Sequence, residues 1–543
     1  MIDLNKAARP VWAGLLDSAR MFPERPAIQI DGREITYREL AEKALSLAAT
    51  LQAANPGGEP LTAVFAYRSE TSFVALLGAL LAGNGYVPLN RTFPIERTQF
   101  MLARSMARTL VVDQASEPQL ESLLKGVLSS LVIVCPDQAD VGALAAHFPA
   151  HRFIGANDLA PAEKWHSVTV SRDAIAYLLF TSGSTGQPKG VMVSHANLRH
   201  YVEYVSKRYQ VTSADRMSQT FDMTFDLSAH DMFVAWENGA CLCCPSQKQL
   251  INPRAYITNT RLSIWFSVPS TAVFMRRLGV LERDMYPGLR LSLFCGEALP
   301  VEMVQEWRRA APNSVIENIY GPTELTIACT AYRWEDSHSP DECEQGLVPI
   351  GEPFPHMEAV IVDEEMQEVK NDRAGELLMT GPQMCAGYWQ DEEKTKRAFT
   401  TLPGRGSKVF YRTGDRVRRG GPDKPLTYLG RLDSQIKILG HRVELGEVEA
   451  VVRETCGLDA VVALGWPLTE RGADGIELFI QSDGFDTKPL LQKLKSRLPA
   501  YMVPRNVRLL SHFPLNSNGK FDRVALRQTL QDLDREVFVP HSK

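Results

Sequence analysis

Ten residues in the first half of the chain combine three glycines, four hydroxyls, a proline and a lysine: Thr181-Ser182-Gly183-Ser184-Thr185-Gly186-Gln187-Pro188-Lys189-Gly190. A loop of this kind presents backbone N–H groups and hydroxyls to an anion, and Lys189 adds a mobile positive charge. The chemistry it suits is phosphate binding. No Ser or Thr follows Lys189, so the spacing is not GxxxxGK[ST], and the metal-holding hydroxyl of a P-loop is not implied. A polar surface loop is the plain alternative. Its density of special residues, directly after the apolar run AYLLF (176–180) and ahead of the amphipathic run 195–209, argues against that.

The elements around it follow from hydrophobic period. Residues 1–110 alternate helix-like and strand-like runs, with Thr36 and Glu39 spaced as a helix capping box. Further strands are expected at TLVVD (109–113) and SLVIVCP (130–136). LSIWFSVP (262–269), LRLSLFCG (289–296) and SVIENIYG (314–321) repeat the rhythm after the loop. Alternation of this kind predicts a mostly parallel α/β sheet, whose ligands collect beyond the carboxyl ends of its strands. Ser267, Gly296-Glu297 and Tyr320–Glu324 therefore converge on one crevice. From about 345 the texture changes to short strands with Gly/Pro turns, expected as a small antiparallel barrel or sheet. A compact α+β unit follows a boundary near 431–434. The fold class read here is α/β: a domain 1–432 of mostly parallel sheets plus a barrel-like subdomain, then a small α+β domain 433–543.

Composition narrows the partners. With 543 residues, 44% hydrophobic and 23% charged, the chain reads as a multi-lobed globular enzyme. A net charge of −5 argues against nucleic acid or an anionic membrane as the main partner. No apolar run is long enough to span a membrane, the N-terminus has no signal-peptide core, and the cytosol is the expected compartment. Nine cysteines make no disulfide framework, and CLCC (241–244) reads as buried thiols in a strand.

TSGSTGQPKG (181–190), IYGPTE (319–324), GELLMTG (375–381), YRTGD (411–415), GRLDSQIKILGHRVELGEVE (430–449) and LNSNGK (515–520) appear in an order that resembles the adenylate-forming enzymes. That superfamily includes nonribosomal-peptide adenylation domains, acyl-CoA synthetases and luciferases, and the likeness runs from about 30 to 525. It implies that a carboxylate attacks the α-phosphate of ATP, releases pyrophosphate and passes to a thiol. Two anions must meet, so charge neutralisation dominates. By resemblance Tyr320 stacks on adenine, with Asn318 and Gly296 lining the base edge, and Glu297 and Gly321 also belong to the nucleotide site. Thr181, Ser182, Ser184, Thr185, Gly186 and Lys189 hold phosphate, and Thr323 contacts the α-phosphate. Glu324 holds Mg²⁺, Asp415 binds ribose, and Arg431 assists at ribose or phosphate. Lys520 becomes the catalytic lysine, carried by a C-terminal domain that swings about Asp433, with the Gly440 region facing the incoming pantetheine arm.

The details resemble the amino-acid branch. Asp226, in FDLSAHD (225–231), matches the acid that binds a substrate ammonium, although an acid at a helix N-terminus is its plain alternative. The remaining pocket wall, carried over position by position, is Leu227, His230, Ser267, Leu293, Cys295, Ile319, Ile327 and Ala328. Such a wall suits a small or medium uncharged L-amino acid; His230 would favour a hydroxyl or amide if neutral and an acid if protonated. Cys295 stands where glycine is common, and Asn90-Arg91 where the family has Asp-Pro. Only 23 residues follow Lys520, too few for a carrier domain, so the thiol is expected on a separate carrier protein. An acyl-CoA synthetase acting on an amine-free acid and a non-catalytic ligand-binding homologue are the two alternatives.

Overall fold

The computed structural model describes residues 9–54, 60–183, 187–369, 372–421, 424–433, 435–469, 472–514 and 521–537. They fall into two compact units, one of residues up to 91, 98–181 and 189–433, the other of 92–97, 182–188 and the residues from 434 onward.

Three sheets build the first unit. In the first, the strands Arg152–Gly155, Val132–Cys135, Thr109–Val112, Leu61–Phe65, Gly85–Leu89 and Ile175–Thr181 run parallel in that spatial order, and Lys189–Ser194 adds an antiparallel edge. Burial of the inner strands on both faces explains why they read as apolar runs without alternation. A second sheet places Val315–Tyr320, Leu291–Phe294, Ile264–Ser267, Arg216–Ser218, Cys241–Cys244 and Pro26–Ile30 side by side and parallel, with antiparallel strands at either edge. Cys241–Cys244 is thus a buried inner strand, and none of the nine cysteines is bridged. The third sheet is antiparallel and centres on Gly375–Thr380 and Val409–Arg419.

Local chemistry sets several boundaries. Glu39 accepts from the Thr36 N–H at 2.8 Å while the Glu39 N–H donates to the Thr36 hydroxyl at 3.2 Å, starting the helix Tyr37–Ala54. Asn90 and Arg91, the departures from Asp-Pro, are integrated: the Asn90 amide donates to Asp222 at 3.0 Å, and Arg91 donates to the Tyr67 carbonyl at 3.1 Å.

The second unit contains the hairpin Gln435–Ile438/His441–Glu444 and the sheet Val461–Gly465, Ile476–Gln481 and Asn506–Leu510, with the helices Leu445–Cys456 and Thr487–Arg497. Valines, isoleucines and leucines from the sheet and both helices share one core there, including Val448, Val461, Leu478, Ile480 and Leu494. Among the described residues no helix is long and apolar enough to cross a membrane.

Candidate active site

The glycine-rich loop closes a hairpin. Ile175–Thr181 pairs antiparallel with Lys189–Ser194, Thr181 opposite Lys189, so Lys189 opens a strand and the helix starts only at His195, capped by Ser194. Thr181 Oγ1 is buried without a partner among the described residues. Ser182 groups with the second unit, its hydroxyl donating to the Arg442 carbonyl at 2.6 Å. Ser184, Thr185 and Gly186 lie outside the described residues, as does Lys520. The Lys189 ammonium donates to Glu324 Oε1 at 3.1 Å and to the Tyr388 hydroxyl at 2.8 Å.

Glu324 belongs to the turn that follows the strand Val315–Tyr320. Behind that strand, the buried Glu317 carboxylate accepts from Arg208 at 2.8 and 3.0 Å, from Arg333 at 2.8 Å and from Tyr209 at 3.0 Å, bracing it. Two guanidiniums and a hydroxyl are what a fully buried carboxylate requires. Gly321 is forced by its surroundings: a Cβ there would stand 2.6 Å from Ala328 Cα and 3.0 Å from the Cys329 nitrogen. Pro322 occupies the cap of the short turn Thr323–Leu325, so Thr323 is not its N-cap.

At the other end of the turn the Tyr320 hydroxyl donates to Asp415. Burial first, and then the Asp415 charge, push this phenol's pKa well up, so it keeps its proton. Asp415 also accepts from Arg431 at 2.7 Å, and Arg431 holds Asp433 at 2.8 and 2.5 Å. Gly414 sits at φ +69°, and a Cβ there would meet the Arg431 guanidinium at 2.6 Å. Two neighbours expected near the base have structural duties: Asn318 donates to the Val348 and Pro349 carbonyls at 3.3 and 2.9 Å, and Glu297 accepts the Ser270 N–H at 2.8 Å at the start of the helix Pro269–Arg277. Gly296 takes φ +88°.

Among the described residues no three metal-type side chains gather. Glu324 instead holds a lysine ammonium, a stand-in for a cation. One carboxylate suits a hard ion that takes its other ligands from water and phosphate.

Among the side chains expected in the pocket wall, Ser267 lies on a different face from the apolar ones. Ser267 faces away: its hydroxyl accepts from Trp265 Nε1 at 2.9 Å and donates to the Val268 carbonyl at 3.1 Å, and Trp265 belongs to the core on the far side of the sheet. Alternation along the strand puts Phe266 on the other face, opposite Leu293, in one cluster with Leu227, Cys295, Ile319, Ile327 and Ala328. Phe266 meets the His230 ring edge-on at 4.7 Å. His230 Nδ1 is 2.8 Å from the Tyr201 hydroxyl, and burial lowers its pKa to about 3, so the imidazole is neutral. Asp226 is 4% exposed and sits at the N-cap of the helix Leu227–Glu237 without making a side-chain cap bond. Its place at the N-cap is also one where a helix favours an acid.

Thr326 and Ile327 adopt left-handed φ values of +59° and +72°, rare for β-branched residues. Gln383 holds them there. Its amide donates to the Ala328 carbonyl at 2.7 Å and the Leu325 carbonyl at 3.2 Å, while the Thr326 hydroxyl donates to the Gln383 carbonyl at 2.7 Å. Sequence reasoning missed Gln383, Tyr388 and Phe266. Strand parity was the available signal for Phe266; none marked the other two.

The AMP-binding enzyme family matches residues 15–389. The chain is 32% identical over 522 residues to tyrocidine synthase 2 of Brevibacillus parabrevis, covering 95% of this chain and 13% of that protein. It covers only 7–19% of the first four such synthases. It is 27% identical to the D-alanine–D-alanyl carrier protein ligase of Bacillus licheniformis, covering 94% of this chain and 97% of the ligase. The crystal structure of the Vibrio cholerae adenylation domain AlmE in complex with glycyl-adenosine-5'-phosphate superimposes with a TM-score of 0.86 at 31% identity, covering 98% of this chain and 100% of that one. The chain belongs to the AMP-binding enzyme family, as an adenylate-forming member of the nonribosomal-peptide adenylation type.

Proposed function

We propose that the chain uses ATP to activate a small, uncharged amino acid as its aminoacyl adenylate, releasing pyrophosphate, and hands the acyl group to the phosphopantetheine thiol of a separate carrier protein. The observation that carries this reading is the turn Tyr320–Glu324. One end bonds Asp415, itself held by Arg431; the other bonds Lys189 of the glycine-rich loop. A vicinal diol and a phosphate chain need acceptors at one end and cations at the other, separated by a few residues' reach. In the reading, Asp415 accepts the ribose hydroxyls, Tyr320 supports the base, and Lys189 moves to phosphate oxygens. Glu324 would hold Mg²⁺, whose charge offsets that of the phosphates. Lys520 would bridge the substrate carboxylate and α-phosphate as the domain from Asp433 onward swings. Asp226 would take the substrate ammonium, the kind of cation that suits a buried carboxylate.

The small substrate is supported by the bulk of Phe266, packed edge-on against His230 in the cluster that holds the expected wall residues, and by neutral His230, which gives an acidic side chain no charge to pair with. AlmE with its glycyl adenylate and the relative named for D-alanine point the same way. The test is ATP–pyrophosphate exchange over a panel of amino acids and amine-free acids. Exchange is expected with glycine- or alanine-sized amino acids, lost on Lys520→Ala with ATP binding retained, and weakened for amines on Asp226→Ala. Exchange with amine-free acids alone would transfer the protein to the acyl-CoA synthetases.

A further inference from the structure

We propose that Tyr388 is a positioning residue for the phosphate end of the site, holding Lys189 and Glu324 in one hydrogen-bonded triangle so that a metal can take the carboxylate from the ammonium. This rests on the reading of Glu324 as the metal-binding acid. The Tyr388 hydroxyl donates to Glu324 Oε1 at 2.7 Å and accepts from Lys189 at 2.8 Å, and the ammonium also lies 4.4 Å from the centre of its ring. Donors and acceptors match around the triangle: the phenol has a single proton and gives it to the carboxylate, leaving a lone pair for the lysine. Glu324 is fully buried and Tyr388 is 4% exposed, so water does not screen these contacts.

The backbone fixes the phenol from both sides. Trp389 N–H donates to the Gly190 carbonyl at 2.8 Å and Met192 N–H to the Gly387 carbonyl at 3.3 Å, stitching the segment to the strand that begins at Lys189. Cys385 N–H donates to the Glu324 carbonyl at 2.9 Å, stitching it to the turn. The Tyr388 N–H itself donates to the Thr395 hydroxyl at 3.0 Å. A metal that binds Glu324 must displace a buried ammonium. The phenol and its ring leave Lys189 an acceptor and a π-face at the moment it gives up the carboxylate, which lowers the cost of the exchange. Without the hydroxyl, ammonium and carboxylate pair more exclusively and the metal competes less well.

The experiment is calorimetric titration of ATP, amino acid omitted, into wild type, Tyr388→Phe and Glu324→Gln at a series of Mg²⁺ concentrations. Tyr388→Phe keeps the ring and is expected to raise the Mg²⁺ concentration for half-maximal ATP binding by about threefold to tenfold, the net size of one ordinary hydrogen bond. A lowered Tm with an unmoved Mg²⁺ midpoint is the mark of a merely structural tyrosine and overturns the proposal. An unmoved midpoint in Glu324→Gln removes the metal-acid reading and the proposal with it; a moved Glu324→Gln beside an unmoved Tyr388→Phe overturns the proposal alone. Should Tyr388→Phe fail to fold, Tyr388→Met, which has no hydrogen-bond donor, is titrated in its place: a raised midpoint supports the proposal and an unmoved one overturns it.

Discussion

The proposed nucleotide end and the proposed acyl end of this site are built by opposite means. At the nucleotide end, charges sit in reciprocal pairs: Lys189 with Glu324, far apart in sequence, and Arg431 with Asp415, its partner on the neighbouring strand. At the acyl end the wall is aliphatic and aromatic, its one histidine is neutral, and its floor is a backbone in a rare conformation clamped by an amide. On the proposed reading, the first arrangement would recognise a ligand common to a whole family by charge. The second would recognise a variable ligand by shape, and shape is set by strand parity and packing.

The difference can be broken by mutation. The largest effect is expected from Glu324→Gln, which should lower pyrophosphate exchange by about 100-fold or more, the usual loss for one electrostatic partner of the transition state. It should do so equally for every amino acid; a change of amino-acid preference would mean that the two ends are not separate. Phe266→Ala should do the reverse. Exchange with glycine- or alanine-sized substrates changes little, while kcat/KM for leucine-sized ones rises about 10- to 200-fold, the value of a few methylenes in a pocket. Unchanged preference would place the limit elsewhere in the wall.

Gln383→Ala should cost about 2–3 kcal/mol in chemical denaturation, because it strands buried carbonyls and releases two left-handed residues. Its residual activity should show disturbed amino-acid KM and near-normal ATP KM. The smallest effect concerns pH. Burial depresses His230 to about 3 and His195 to about 4, below the usual imidazole value near 6.5. The unfolded chain therefore binds more protons than the folded one between about pH 3 and 6.5, and stability falls as pH drops through that window, by up to about 1.4 kcal/mol per pH unit for each group. Melting temperatures recorded from pH 7 to 5 should decline, and less steeply in His230→Gln.

Legibility in the sequence followed the range of the interactions. The capping box at Thr36 and Glu39 and the strands that end at Ser267, Phe294 and Tyr320 rest on neighbours a few residues apart, and they read directly. So did the turn Tyr320–Glu324, whose composition is its own signal. The hairpin at the glycine-rich loop did not, because only pairing with Ile175–Thr181 makes Lys189–Ser194 a strand. Assigning Ser267 to the wall errs by one residue, and in a strand one residue is one face. Gln383 and Tyr388 were invisible for a different reason. Each works on partners about 55 to 200 positions away, and nothing in GPQMCAGYW (381–389) announces that distance.

The clamp by Gln383 constrains anyone who wants to redirect the pocket. Ile327 and Ala328 are wall positions whose backbone is held from outside, so exchanging their side chains alters a strained scaffold together with the cavity it encloses. Phe266 and Cys295 carry no such liability, since regular pairing to neighbouring strands supports the one and the other directly follows the strand Leu291–Phe294. Laboratory evolution toward bulkier substrates should therefore accumulate its productive changes on the sheet and spare the bend.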